Sequence, residues 1–61
     1  MKSKKEKELN HLDSLIESWK KIEEAPWKAW AYGYALCLRD QGVLDFDEVE
    51  NALIERGIIR R

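Results

Sequence analysis

An all-α fold of three helices is predicted by three features of this sequence. Apolar residues recur at spacings of three and four, stop signals fall at Ala25-Pro26, Gly42 and Gly57, and no stretch alternates apolar and polar residues as a strand would. Helices are expected over residues 4–24, 26–41 and 46–56, in a single small domain covering residues 1–61.

In the first segment Leu9, Leu12, Leu15, Ile16, Trp19 and Ile22 share one helical face. Leu9, Leu12, Ile16 and Trp19 also fill a and d positions through two heptads, which makes a short packing seam rather than a coiled coil. Ser3 followed by Glu6 suits a capping box, although residues 1–8 are mostly charged and are expected to fray. Ala25-Pro26 should end this helix, because a residue before proline is pushed out of the α region.

Pro26 then suits the first position of a second helix. Trp27, Trp30, Ala31, Tyr34, Cys37 and Leu38 fall within about 120° of one another at 100° per residue and are expected to face the core. Ala29, Tyr32, Gly33 and Leu36 lie opposite, so this helix is apolar nearly all round. Gly42 is placed as a C′ residue with Val43 packing back on Leu38. The third helix has the fullest punctuation. Asp45 serves as N-cap, Glu48 completes a capping box, and Leu44 with Val49 forms a hydrophobic staple. Asp45, Asp47, Glu48 and Glu50 crowd its start, where the helix dipole favours negative charge. Phe46, Val49, Ala52 and Leu53 are expected to form its buried stripe. Arg56 closes the last turn, and Gly57-Ile58 repeats the glycine stop against Leu53. Ile59 is left apolar ahead of Arg60 and Arg61.

A chain of 61 residues buries only about 60% of the surface its unfolded form exposes, so it needs good packing or a partner. One cysteine and one histidine allow neither an internal disulfide nor a zinc cluster of the usual kind. Eleven basic and twelve acidic residues give a net charge of −1, without the basic excess of a nucleic-acid binder. With 38% charged and 44% apolar residues, the composition is that of a folding chain rather than a disordered one. No apolar run approaches the roughly 20 residues needed to span a bilayer. The charged start precedes no apolar signal-peptide core, and a free cysteine without an export signal points to the cytoplasm.

No catalytic residue, metal ligand or cofactor site is expected. His11 has no nucleophile at a suggestive spacing and reads as a solvated helix residue. The carboxylates from Asp45 to Glu50 match no calcium loop and are explained by capping. Cys37, between Tyr34 and Leu38, reads as a small buried hydrophobe without the electropositive neighbours that activate a thiol. Helices two and three with their short glycine turn suit a helix-turn-helix, but the second would bring carboxylates against phosphate, so no nucleic acid is expected as partner.

The aromatic cluster of the second helix is the informative feature. Trp27, Trp30, Tyr32 and Tyr34 fall at angles that no single neighbouring helix can cover. Either helices one and three cover the two sides, or part of the cluster, above all Tyr32 with Leu36 and Ala29, stays exposed as a binding face. Trp27, Ala29, Trp30, Tyr32, Tyr34 and Leu36 are therefore the candidate partner-binding residues.

From Ala25 onward the sequence Ala25-Pro26-Trp27, Ala31-Tyr32-Gly33, Ala35, Leu38, Gly42, Phe46, Glu48 and Leu53-Ile54 resembles the N-terminal helical region of nitrile hydratase β-type subunits. It is similar also to the nitrile hydratase activator proteins and thiocyanate hydrolase small subunits that share that region. The resemblance covers roughly residues 25–59, with Trp27 and Tyr32 on the family's Trp and Phe positions and Gly33 and Ala35 on its close-packing positions. Trp30 stands where the family places arginine, and the helix over 4–24 has no counterpart in it. The resemblance implies a non-catalytic role, because the metal of that family sits in a cysteine-rich claw of the α-type chain, which β-type and activator chains wrap and help to assemble or load. The expected function is thus an accessory or assembly subunit that binds a larger enzyme chain, such as a nitrile hydratase α-type protein. The alternatives are a stand-alone regulatory or inhibitory module, and a helical protein that associates with copies of itself.

Overall fold

A computed structural model describes residues 3–60. Three helices follow one another: α1 (Lys4–Lys20), α2 (Trp27–Asp40) and α3 (Phe46–Glu55). The expected all-α class holds, and no strand occurs among the described residues. Of the charged start, residues 1 and 2 lie outside the described residues, as does Arg61 at the other end. From Lys4 the chain is helical, and Ser3 Oγ accepts the Glu6 amide at 3.2 Å, the first half of the expected box.

α1 stops at Lys20, four residues earlier than expected. The amides of Lys21 and Ile22 shift to the carbonyls of Ser18 and Trp19, at 3.2 and 3.0 Å, tightening the last turn. Glu24 then adopts φ 62°, a left-handed conformation rare outside glycine and asparagine. The helix therefore ends ahead of Pro26 because the chain must already be turning back. Ile22 leaves the apolar row and is 54% exposed. Pro26 becomes the N-cap of α2, its carbonyl accepting the Trp30 amide.

The two glycine stops form as expected. Gly42 takes φ 78°, with Gly42 N–H bonded to Arg39 O and Val43 N–H to Leu38 O; Gly57 takes φ 72°, with the matching bonds to Ile54 O and Leu53 O. This is the Schellman pattern, whose left-handed residue carries no Cβ penalty when it is glycine. Asp45 completes a reciprocal capping box with Glu48, at 2.7 and 3.0 Å. Leu44 and Val49 are both buried in one cluster, consistent with the staple.

α2 is the middle element and packs on both α1 and α3. Ala35, Leu38, Leu44, Val49 and Leu53 form the cluster on the α3 side; Leu12, Ile16 and Ala31 form the one on the α1 side. Ile58, beyond α3, packs against both. The core stripe expected on α2 requires correction. Ala31 and Leu38 are buried as expected, and Ala35 joins them, but Trp30 is 43% exposed, Cys37 is exposed, and Trp27 and Tyr34 are half-buried. Two helices can approach α2 closely only along its small side chains, so the arc centred on the alanines is covered and the rings are pushed to its edges. Of the stripe expected on α3, Val49, Ala52 and Leu53 are buried, but Phe46, at the first position of the helix, is 63% exposed.

Polar contacts tie α1 to the other helices. The Arg56 guanidinium grips Asp13 with Nε–Oδ1 2.7 Å and Nη2–Oδ2 3.2 Å, while its Nη1 donates to Ala52 O at 2.9 Å. Lys5 pairs with Glu48, and Tyr34 Oη donates to Glu8 Oε2 at 2.8 Å.

Leu12 is fully buried, so Leu12→Ala should cost about 2–5 kcal/mol, enough to unfold a domain of this size. Trp30→Ala, at an exposed edge, should leave a cooperative thermal transition by circular dichroism. Loss of that transition in Trp30→Ala alone would place the core on the other face of α2.

Candidate functional site

The six candidate partner-binding residues do not form one patch, because successive residues of α2 point in directions set by its 100° turn. Trp30 stands edge-on to Trp19 of α1, ring centroids 5.5 Å apart. Trp27 lies beneath two ammonium groups, Lys20 at 4.8 Å and Lys28 at 5.8 Å from its ring centroid. These contacts lock the α1–α2 turn with T-shaped and cation–π geometry. Tyr34 faces α1, where its ring lies 6.0 Å from that of His11 and its hydroxyl is held by Glu8. Burial, and then the bond to Glu8, push the Tyr34 phenol up to about 12. Three of the six thus serve the contact between α1 and α2.

Tyr32 and Leu36 point the other way and line an open trough of about 370 Å³ between α2 and α3. Val49 and Leu53, both buried, lie at its base; Phe46 and Ile59 line it further, and Arg39, Glu50 and Arg60 supply its charge. Its size is that of a ligand pocket (about 300–1,000 Å³), but it is open to solvent. Tyr32 also lines a shallower continuation with Lys28, Ala29 and Ile58. Ala29, Tyr32 and Leu36 are therefore brought together as the sequence suggested. Phe46, Ile59, Arg39 and Arg60 join them without having been singled out. The unexplained apolar Ile59 between a glycine stop and two arginines was the available signal.

The trough exposes two aromatic rings, Phe46 at 63% and Tyr32 at 43%. The Arg39 guanidinium lies 6.0 Å from the Phe46 ring centroid. Among the described residues no three His, Cys, Asp or Glu side chains are grouped to hold a metal ion, and no helix is long and apolar enough to cross a membrane. His11 is exposed beside Tyr34. Comparison of the chain with protein-family models, curated proteins and solved structures found no match.

On the opposite side, Glu48 is held below the usual carboxylate range, first by its hydrogen bond from Lys5 and then by the Asp45 amide. The same bond holds the Lys5 ammonium above its ordinary value. A depressed carboxyl stabilises the fold above its unfolded value, and that contribution disappears as pH falls through the folded one. Helicity should therefore decline on acidification below about pH 4.5, and Glu48→Gln should weaken that decline. For Tyr34 the sign is reversed: the raised phenol stabilises the fold below its ordinary value near 10 and ceases to do so as pH rises through about 12. Phenolate absorbance near 295 nm should show a step near pH 12 that Tyr34→Phe removes. An unaltered chain whose phenolate absorbance is complete near pH 10, leaving no later step for Tyr34→Phe to remove, would rule out the Glu8 contact.

Proposed function

We propose that this chain is a non-catalytic accessory subunit that binds a larger protein through the trough between α2 and α3. The observation that carries this reading is the exposure of Phe46 and Tyr32 beside an apolar base, in a molecule whose two core clusters close without either ring. Exposed Tyr and Phe with an adjacent arginine are the composition of an interface centre. An apolar surface of this kind on a small domain marks a contact with another molecule.

The resemblance to nitrile hydratase β-type and activator chains gives the partner a candidate, a cysteine-rich α-type chain. Two of the residues that carry the resemblance support such a role. Ala35 lies in the core, leaving Tyr32 free to line the trough, and Gly33 sits on the outer side of α2 with nothing within 4 Å of where a Cβ would stand. That open surface lets a partner backbone approach closely. A stand-alone regulator and a self-associating protein would use the same face and differ in what they bind.

The experiment is a gentle purification of the chain at native abundance with mass spectrometry of the co-eluting proteins. A stoichiometric larger metalloenzyme chain supports the accessory reading; recovery of the chain alone, or of copies of itself, overturns it. Tyr32→Ala combined with Phe46→Ala should weaken capture of the partner more than roughly tenfold while leaving far-UV circular dichroism nearly unchanged.

A further inference from the structure

We propose that the partner presents to this trough an acidic amphipathic helix, with apolar residues at its centre and carboxylates at both ends. This rests on the reading of the trough as a protein-binding site and names the chemistry of what fills it.

The charges around the trough are segregated. The chain as a whole carries a net charge of −1, yet the charged side chains lining the trough and its continuation are Arg39, Arg60 and Lys28 against Glu50 alone. Three carboxylates are engaged elsewhere: Glu8 with Tyr34, Asp13 with Arg56, and Glu48 with Lys5. Among the described residues Arg39 pairs with Asp40, at a long 3.9 Å, and lies over the face of Phe46. Its guanidinium, weakly hydrated and already lying over an aromatic ring, suits a carboxylate arriving on an apolar surface.

The basic groups are also spread along the trough rather than gathered at one point. Arg39 and Phe46 stand near the α2–α3 turn. At the other end Ile58, next to Ile59 and Arg60 in sequence, lies with Lys28, Ala29 and Tyr32. From Tyr32 to Arg39 is about 10 Å along α2, or two helical turns. The trough therefore has an apolar centre two turns long with cationic groups at each end. Two of its walls are helices, with Ile59 and Arg60 beyond α3 also lining it; helices receive the ridges of another helix and offer no sheet edge for an extended strand. A partner helix with apolar residues at i, i+3 or i+4, and i+7 would fill it, and Glu or Asp beyond those positions would meet the guanidinium and ammonium groups.

The test is selection from a displayed library of amphipathic helical peptides of about 20 residues, beyond the length of about 12–15 below which isolated helices are marginal in water. Leucine is fixed at the three apolar positions, and Glu, Lys or Ser is randomised at the flanks. Selected peptides are then measured by fluorescence anisotropy against the full chain, Arg39→Glu with Arg60→Glu, and Tyr32→Ala with Phe46→Ala. The expected result is enrichment of Glu at both flanks and a preference over the Lys version on the order of tenfold at low salt. That preference should shrink with added salt and reverse in the double arginine variant, whose helicity is checked by circular dichroism. Peptides that bind and depend on Tyr32 and Phe46 but carry Lys or no flanking preference would overturn the acidic helix and keep the binding trough. Absence of any peptide sensitive to Tyr32 and Phe46, or a dimer of the chain alone that occupies the trough, would overturn both.

Discussion

Everything in this molecule follows from the alanines on the buried arc of α2. A helix placed between two others must offer each a surface, and large side chains would hold both at a distance. Ala31 and Ala35, with Leu38 between the two directions, let α1 and α3 approach the same helix. Their small volume means that most of the apolar packing comes from the flanking helices, through Leu12 and Ile16 on one side and Val49 and Leu53 on the other. It also means that the bulky residues of α2 cannot be central.

Displacing the rings to the edges divides the work of α2. Trp27, Trp30 and Tyr34 go to the α1 side, where they make ring–ring, cation–π and hydrogen-bond contacts that orient α1. Tyr32 and Leu36 go toward α3 and, with Phe46, are left lining an open trough. Polar ties follow the same division. Lys5–Glu48 and Arg56–Asp13 lie between α1 and α3, apart from the charges that line the trough. The Lys5–Glu48 pair is exposed and screened by solvent, so it sets orientation more than stability.

The helices and their ends were legible because their signals are local. Gly42 and Gly57 stop helices through their own backbone freedom, and Asp45 caps through a side chain three residues from its target. The end of α1 was less legible, since proline marks where a helix cannot continue rather than where a chain must turn, and Glu24 in the left-handed region carries no sequence signature. The buried face of α2 was legible in part: Ala31 and Leu38 of the expected stripe are buried, but its centre lies toward Ala35 rather than Trp30 and Cys37. An almost wholly apolar helix has no strong preferred side, and packing geometry favoured the small side chains. The trough was half visible, in Ala29, Tyr32 and Leu36. Its other wall depended on Phe46 turning outward and Ile59 folding back, neither of which a single segment encodes.

Ile58 touches both core clusters although it lies beyond the last helix. Tyr34, in the middle of α2, packs against the same two clusters, so the halves of the core are joined by two side chains, one from a helix and one from the segment that follows α3. Cutting the chain after Glu55 would keep all three helices and remove one of these two joins, so the segment beyond α3 acts as a clasp on a core that the helices already outline.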